Sequence, residues 1–298
     1  MKVRTCERMG AHVLLHGNDI SEAREHAMQF VRKQGLTYIN GFDDPAIIAG
    51  QATLGLEMLE QMPDCDVILV PIGGAGLIGG ISLAVKRIRP SVEIIGVQAE
   101  QAASFSAAIR AGTPIQIQMG ATLADGLAVP RVGDVAFAIA RRFVDRTVTV
   151  SERMIALAIL RLVELEKTVV EGAGATSLAA LLGGGLPELR GRKVLLPLSG
   201  GNIDTNILGR IIERGLAADG RLCRFAANIS DRPGGLARFT SILAEERASV
   251  RDVAHDRAFA GEDISQVVVH CVIETRDLDH MTRVRKRLEK EGFHVTQD

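Results

Sequence analysis

Three glycine-rich turns carry the groups that can do chemistry. The first, VPIGGAGLIGG (Val70–Gly80), follows a short apolar run and opens an amphipathic helix. A helix N-terminus offers unpaired N–H groups and a partial positive charge, and glycines before it let an anion approach the backbone. Strand, Gly-Gly-Ala-Gly and helix in that order therefore make a phosphate site on physical grounds. Gly74, Gly76 and Gly79 also satisfy GxGxxG. Glu100 follows the next strand, where a dinucleotide fold places its ribose-binding carboxylate. In a glycine-rich chain that match is weak, and a tight turn packing helix on strand explains the same residues. The other two turns weigh against a dinucleotide. LSGGNID (Leu198–Asp204) ends an apolar run on a hydroxyl, and VVEGAGA (Val169–Ala175) leads into a small-residue helix. Together the three suggest a planar cofactor with one phosphate, held between strand ends.

Such turns need strands and helices to position them. Residues 11–200 alternate short β-rich runs with helical patterns. Strands are expected at His12–Leu15, Thr37–Asn40, Val67–Ile72, Glu93–Gln98, Thr147–Val150 and Lys193–Leu198. Helices are expected at Ile20–Lys33, Pro45–Gln61, Leu77–Arg89, Glu152–Lys167 and Ala173–Leu182. Apolar strands separated by helices predict parallel βαβ units in an α/β core. The rhythm changes near Leu216–Gly220. Beyond it, strands at Arg221–Ile229, Ser249–Ala254, Gln266–Glu274 and Phe293–Thr296 interleave with helices at Ala237–Glu246 and Met281–Lys290. That order, βαββαβ, predicts a small ferredoxin-like α+β module.

Composition narrows the classes of function. The chain has 298 residues, enough for a large domain and a small one. Its net charge of −1 gives no general attraction to nucleic acid or anionic membrane, and with no Trp and one Tyr it lacks base-stacking platforms. Val67–Val85 carries no charge, but Pro71 and five glycines interrupt it, so strand–loop–helix explains it better than a membrane span. The N-terminus lacks the apolar core of a signal peptide. The four cysteines form no CxxC, and the seven histidines are scattered, so no metal-ligand pattern exists and the cysteines read as free thiols of a cytoplasmic protein.

Seven segments in one order carry a family resemblance. They are KVRTCERMGAHVLLHG, FDDPAIIAGQATLGLEML, VPIGGAGLIGG, IIGVQAE, TLADGLAV, VVEGAGA and LSGGNID, covering residues 2–210 almost continuously. The chain resembles the fold-type II pyridoxal-phosphate enzymes, with their tryptophan synthase β-like core. Within them it is most similar to the threonine dehydratase (threonine ammonia-lyase) group. The resemblance implies that Gly73, Gly74, Ala75, Gly76 and Leu77 give backbone N–H groups to the phosphate of pyridoxal 5'-phosphate. It implies that Ser199 bonds the pyridine nitrogen and that Glu171 lies near that end of the ring. The family reaction is β-elimination, taking L-threonine to 2-oxobutanoate and ammonia and L-serine to pyruvate and ammonia. Residues 222–298 resemble an ACT regulatory domain, with ISDRPGGL as the matching turn. Gly234 and Gly235 would then expose backbone to a small amino-acid effector such as isoleucine or valine, and the modules would pair into a homo-oligomer. A plain strand–helix turn is the alternative reading of those glycines.

The chain also departs from the family pattern. The family's cofactor lysine lies in a Ser-x-Lys-x-Arg-Gly-Ala segment and its substrate loop in Ser-x-Gly-Asn-His-Ala-Gln, and this sequence contains neither. The similarity begins at Lys2, inside the region that follows both. Lys2, Lys33, Lys86, Lys167, Lys193, Lys286 and Lys290 each read better as surface residues than as a substitute. The resemblance therefore implies a truncated core short of on the order of a hundred residues. Residues 1–40 would be the remnant of a small domain, 41–218 the large domain and 219–298 the ACT domain. Exposed edges and an apolar patch are expected on the remnant. Ala75 stands for a third glycine, which matters only if that residue needs φ > 0. Ala52 stands for a glycine in the family's GQGT, and Ser106 for an Asp that joins the Glu matching Glu100 in cation-binding relatives. The expected function is a threonine ammonia-lyase polypeptide, inactive alone. The alternative is a non-catalytic amino-acid sensor or assembly protein acting through the ACT domain.

Overall fold

The computed structural model describes residues 2–18, 20–256 and 265–297. They divide into two compact units, Met1–Leu208 and Gly209–Asp298.

The first unit opens with two helices, α1 (Lys2–Arg8) and α2 (Ile20–Gln34). No strand forms at 12–15 or 37–40, where the sequence pattern suggested one. A β-prone segment becomes a strand only when a neighbour accepts its backbone hydrogen bonds, and neither segment has one here. Met9, Leu14, Leu15, Leu36 and Ile39 are exposed on this stretch. Helix α3 (Pro45–Gln61) follows, capped by the Asp44 carboxylate, which accepts from the N–H groups of Ala46 and Ile47, with Pro45 in the first turn.

Strand β1 (Val67–Pro71) is buried along its whole length, as the apolar run requires. It leads into α4 (Gly76–Ile88), then β2 (Glu93–Ala99), α5 (Ser104–Ala111) and α6 (Asp134–Phe143). Strand β3 (Arg146–Val150), α7 (Glu152–Arg161), α8 (Gly172–Leu182) and a two-residue β4 (Val194–Leu195) complete the layer set. The sheet is parallel, in the order β3-β2-β1-β4. The strand expected over 193–198 is thus mostly unpaired. Pro197 has no N–H to donate, so the ladder with β1 stops at Leu195. The helix expected over 152–167 changes to π geometry at Leu162–Glu166 and ends on Lys167 at φ 55°.

Helices α3 and α4 cross at glycines. A β-carbon on Gly80 would collide with the Ile48 carbonyl, and one on Gly55 would lie 3.0 Å from the Ile81 carbonyl. Ile48, Ile68, Val70, Ile78, Ile81, Ile94 and Phe105 form the core beneath this crossing. The crossing fixes where the α4 N-terminus sits relative to the end of β1.

Helix α9 (Thr205–Ala218) contains the division between units, ahead of the boundary drawn after 218 from the sequence. In the second unit, β5 (Leu222–Ser230), α10 (Gly235–Glu245), β6 (Ser249–Asp256), β7 (Gln266–Glu274), α11 (Leu278–Lys290) and β8 (His294–Gln297) run in the expected βαββαβ order. The sheet is antiparallel, ordered β6-β7-β5-β8. Alternate residues of β7 are buried, so one face takes the helices, with Phe239 meeting Phe293 edge on and Phe225 at a tilt within the core.

Candidate functional site

The loop from β1 to α4 is built of small residues because protein covers it on the β-carbon side. A β-carbon on Gly74 or Gly76 would collide with Phe42, and one on Gly73 would lie 3.0 Å from the Leu127 Cα. Ala75 has φ 75° and ψ 1°, the left-handed region. The condition under which its replacement of glycine matters is therefore met. Such a conformation costs a non-glycine residue about 1–2 kcal/mol. The Ala75 methyl is 2% exposed and packs in the core, which offsets part of that cost.

Among the described residues, the N–H groups of Gly73, Gly74, Ala75, Gly76 and Leu77 have no hydrogen-bond acceptor. Gly73 to Gly76 are buried and Leu77 is half-buried. One unsatisfied buried donor costs roughly 1–3 kcal/mol. Five in succession at a helix N-terminus form a concavity that an anion satisfies.

Gly73 to Leu77 line a cavity of about 350 Å³ together with Phe42, Gln51, Gly126, Leu127, Glu171 and Ser199. All seven residues that the resemblance assigns to the cofactor therefore meet in one place. Glu171 precedes the first residue of α8 at φ −69° and ψ 165°, and its carboxylate makes no cap to the helix. Its N–H donates to the Gly200 carbonyl at 2.9 Å, and a β-carbon on Gly200 would collide with its carboxylate. Gly174 faces the Ser199 carbonyl with no room for a side chain. Ser199 itself is exposed. It stands beyond the end of β4 in unpaired chain, not at a strand end as the sequence pattern suggested.

Four acidic or amide residues that the sequence reading did not single out support the segments around the cavity. Asp43 accepts the N–H groups of Asp134, Val135 and Ala136 at 3.0, 2.9 and 3.0 Å, capping α6. Its neighbour Asp44 caps α3, so the two acids of FDDP start two helices and hold Phe42 over Gly74 between them. Asn40 tightens the turn by accepting the N–H groups of Phe42 and Asp43. Glu152 holds the loop before Gly126 and Leu127, accepting the Leu123 N–H at 2.6 Å. The Leu123 carbonyl sits where a side chain on Gly172 would be.

Glu100 lies elsewhere. It borders a separate cavity of about 190 Å³ with Thr149, Ser151 and Met154, so the ribose carboxylate of a dinucleotide site is absent from the glycine loop. The Ser106 hydroxyl bonds Gln98 Oε1 at 2.7 Å and Thr147 Oγ1 at 3.1 Å, a neutral network where cation-binding relatives have a carboxylate. In the second unit Gly234 has φ 95°, and the Gly235 N–H already bonds the Arg232 carbonyl at 3.0 Å. Of the two glycines named for an effector, only Gly234 therefore presents an open backbone donor among the described residues.

The family profile described as "Pyridoxal-phosphate dependent enzyme" matches residues 1–200. The chain belongs to that family. Pyridoxal phosphate is its cofactor, and the donor set above fits the cofactor's phosphate. The chain is 41% identical to an L-threonine ammonia-lyase of Thermotoga maritima over 294 residues, 99% of this chain and 73% of that one. It is 41% identical to a catabolic L-threonine dehydratase of Escherichia coli over 208 residues, 70% of this chain and 63% of that one. Among solved structures it superposes on the processed form of threonine deaminase isoform 2 from Solanum lycopersicum with a TM-score of 0.67 and 33% identity, covering 72% of this chain and 62% of that one. Maize serine racemase gives 0.66 at 31% identity, covering 72% and 67%. No described helix is long and apolar enough to cross a membrane.

Proposed function

We propose that the chain is a threonine ammonia-lyase polypeptide whose first unit binds pyridoxal phosphate and whose second unit is an ACT-type regulatory module. The observation that carries the first part is the run of unpaired N–H groups from Gly73 to Leu77, with Glu171 and Ser199 in the same cavity. The five donors and the α4 N-terminus would hold the phosphate. Ser199 would bond the pyridine nitrogen without giving up a full proton, and Glu171 would lie near it. Phe42, Gln51 and Leu127 would close the walls against water. The bound cofactor supplies an electron sink for a substrate that loses its α-proton. The net reaction converts L-threonine to 2-oxobutanoate and ammonia, with L-serine as second substrate yielding pyruvate.

No lysine borders the cavity among the described residues, so none of them supplies an amine to carry the cofactor covalently. The reading predicts that purified chain supplied with pyridoxal phosphate binds it but releases no ammonia from L-threonine above the buffer control. Ammonia release that scales with chain concentration overturns the inactivity.

The second unit supports a different reading of the same polypeptide, as an amino-acid sensor. Its βαββαβ sheet leaves β6 and β8 as edges, and β6 is mostly exposed. Edge pairing of two copies, with isoleucine or valine at Gly234, would make a homo-oligomeric regulatory assembly. The four free cysteines of the whole chain suit a cytoplasmic setting. Thermal stabilisation by isoleucine or valine without any pyridoxal phosphate binding favours the sensor over the lyase.

A further inference from the structure

We infer that Asp125–Gly126 is a self-modification site, at which the folded chain rearranges an aspartyl bond to an isoaspartyl one. The rearrangement uses only water, so it needs neither the cofactor nor the substrate of the lyase reading. The sequence holds three bonds open to this chemistry: Asn40–Gly41, Asp125–Gly126 and Asp219–Gly220. A glycine after the Asn or Asp leaves its amide nitrogen unshielded by a β-carbon and free to swing onto the side chain. In an unfolded chain Asn40 reacts fastest of the three, because near neutral pH an amide is a better electrophile than a carboxylate. The fold reverses that order.

Two of the bonds are locked. Asn40 is buried, and its Oδ1 accepts the N–H groups of Phe42 at 3.0 Å and Asp43 at 3.1 Å. Attack by the Gly41 nitrogen would pull that oxygen off both donors and leave them without it. Asp219 is held on both sides. Its own N–H donates to the Gly215 carbonyl at 2.9 Å, and its carboxylate lies 3.8 Å from Arg221. The Gly220 N–H is tied to the Ala217 carbonyl at 3.2 Å, and Gly220 is buried against Leu278 at φ 71°. Its carbonyl accepts the Thr275 hydroxyl, so the nitrogen cannot rotate toward Asp219 without breaking the turn.

Asp125–Gly126 is arranged the other way. Both residues are exposed. They open a single 3₁₀ turn, Asp125–Leu127, in which Leu127 donates to the Ala124 carbonyl and Ala128 to the Asp125 carbonyl. The Gly126 N–H falls in the first turn, where no carbonyl of the turn can reach it. It donates instead to Asp125 Oδ1 at 2.9 Å. The attacking nitrogen is therefore already in contact with the carboxyl group it attacks, and water reaches both.

The reaction balances without an oxidant or reductant. The Gly126 nitrogen bonds to Cγ of the protonated Asp125 carboxyl, and the N–H proton leaves with the carboxyl hydroxyl as water. The product is a five-membered succinimide. Water then adds at the main-chain carbonyl carbon of Asp125 and breaks its bond to the Gly126 nitrogen. The backbone now runs through Cβ and Cγ, one atom longer, and the old carbonyl has become a free carboxylate with no net change in mass. That carbonyl is the acceptor for Ala128, and the next residue, Leu127, has its Cα 3.0 Å from where a β-carbon on Gly73 would stand. Conversion therefore opens the 3₁₀ turn and loosens the segment that packs on Gly73.

The test is prolonged incubation of the full chain near neutral pH, folded and in urea, followed by digestion. Chromatography separates the peptides and electron-transfer fragmentation locates isoaspartate in each. In urea Asn40 should convert fastest. In the folded chain Asp125 should convert at least about threefold faster than Asn40 or Asp219. A smaller lead at Asp125, no conversion there included, overturns the inference. Asp125→Glu keeps the acid but cannot close a five-membered ring. It should end conversion at this bond while leaving the thermal midpoint within a few degrees, and a rearranged product at position 125 in that variant overturns the inference as well.

Discussion

At the scale of single residues, the site depends on two side chains that do no chemistry. Ala75 holds a left-handed turn that glycine adopts freely, at a cost of about 1–2 kcal/mol, while its buried methyl returns about 0.8 kcal/mol. The two nearly cancel, so Ala75→Gly should change stability by less than about 1 kcal/mol. Ala75→Val adds β-branching in a left-handed conformation inside a packed core, and should cost at least about 2 kcal/mol. Urea unfolding of the two variants side by side checks the balance, and equal losses would show that strain is not the deciding term. Asp43 accepts three N–H groups at the start of α6 and holds Phe42 in place. Asp43→Ala should destabilise by about 1–2 kcal/mol and weaken pyridoxal phosphate binding through the displaced Phe42 ring. Asp43→Asn should recover part of both, because an amide oxygen still caps.

Elements bring these residues to one point. The crossing of α3 and α4 puts the Gly80 Cα against the Ile48 carbonyl, next to Ala52. Ala52 replaces a glycine of the family pattern here, so Gly80 is what keeps the crossing close. Gly80→Ala forces backbone apart and should cost about 2–3 kcal/mol or more, well beyond the helix-propensity gain of about 1 kcal/mol. A thermal midpoint equal to or above wild type would show that the crossing tolerates separation. At the other end of the sheet, Glu93 on β2 bonds Arg146 at 2.8 Å and Arg192 at 2.6 Å, joining β3 and the segment before β4. The hydrogen bond from Arg146 is the main cause of a carboxyl held below its usual range, with that from Arg192 adding to it. A carboxyl lowered on folding stabilises the fold above its ordinary pKa, and the contribution vanishes as pH falls through the folded value. Glu93→Gln should therefore be less stable than wild type near pH 7, with the gap closing as the pH is lowered below about 4. A gap independent of pH would mean the pair acts by packing alone.

For the whole molecule, the chain's division into two units sets what a ligand can report. A ligand that binds only the folded first unit stabilises it by mass action, about 2.7 kcal/mol at a hundredfold excess over Kd. Hydrogen exchange with pyridoxal phosphate should slow in peptides spanning 70–80, 122–129 and 170–176 and stay unchanged across 222–256. Slowing confined to the second unit would place the ligand elsewhere. The same experiment with isoleucine or valine tests the Gly234 turn independently.

Much of this architecture was readable in the sequence because its signals are local. The apolar run Val67–Val70, the glycine turn and the following amphipathic run specify strand, loop and helix within one short window, and Asp44-Pro45 marks the start of α3 by its own chemistry. The β-branched content of Gln266–Glu274 likewise marks a strand. The residues offered for the cofactor could be named because each sits in such a turn. Three things escaped that reading. Segments 12–15 and 37–40 have strand-like composition, yet pairing partners decide strands, and composition does not reveal them. Ser199 lies beyond a ladder cut short at Pro197, a matter of register with β1. Asp43 caps a helix 91 residues away, and no local pattern marks a contact of that range. Sequence by itself determined which stretches are turns, helices and buried strands, since backbone preference and hydrophobic period act within a few residues. Tertiary structure alone decided that Ala75 is left-handed, that five successive N–H groups are left unpaired, and that Phe42, Glu171 and Ser199 share one cavity with them, because those facts depend on how distant segments pack.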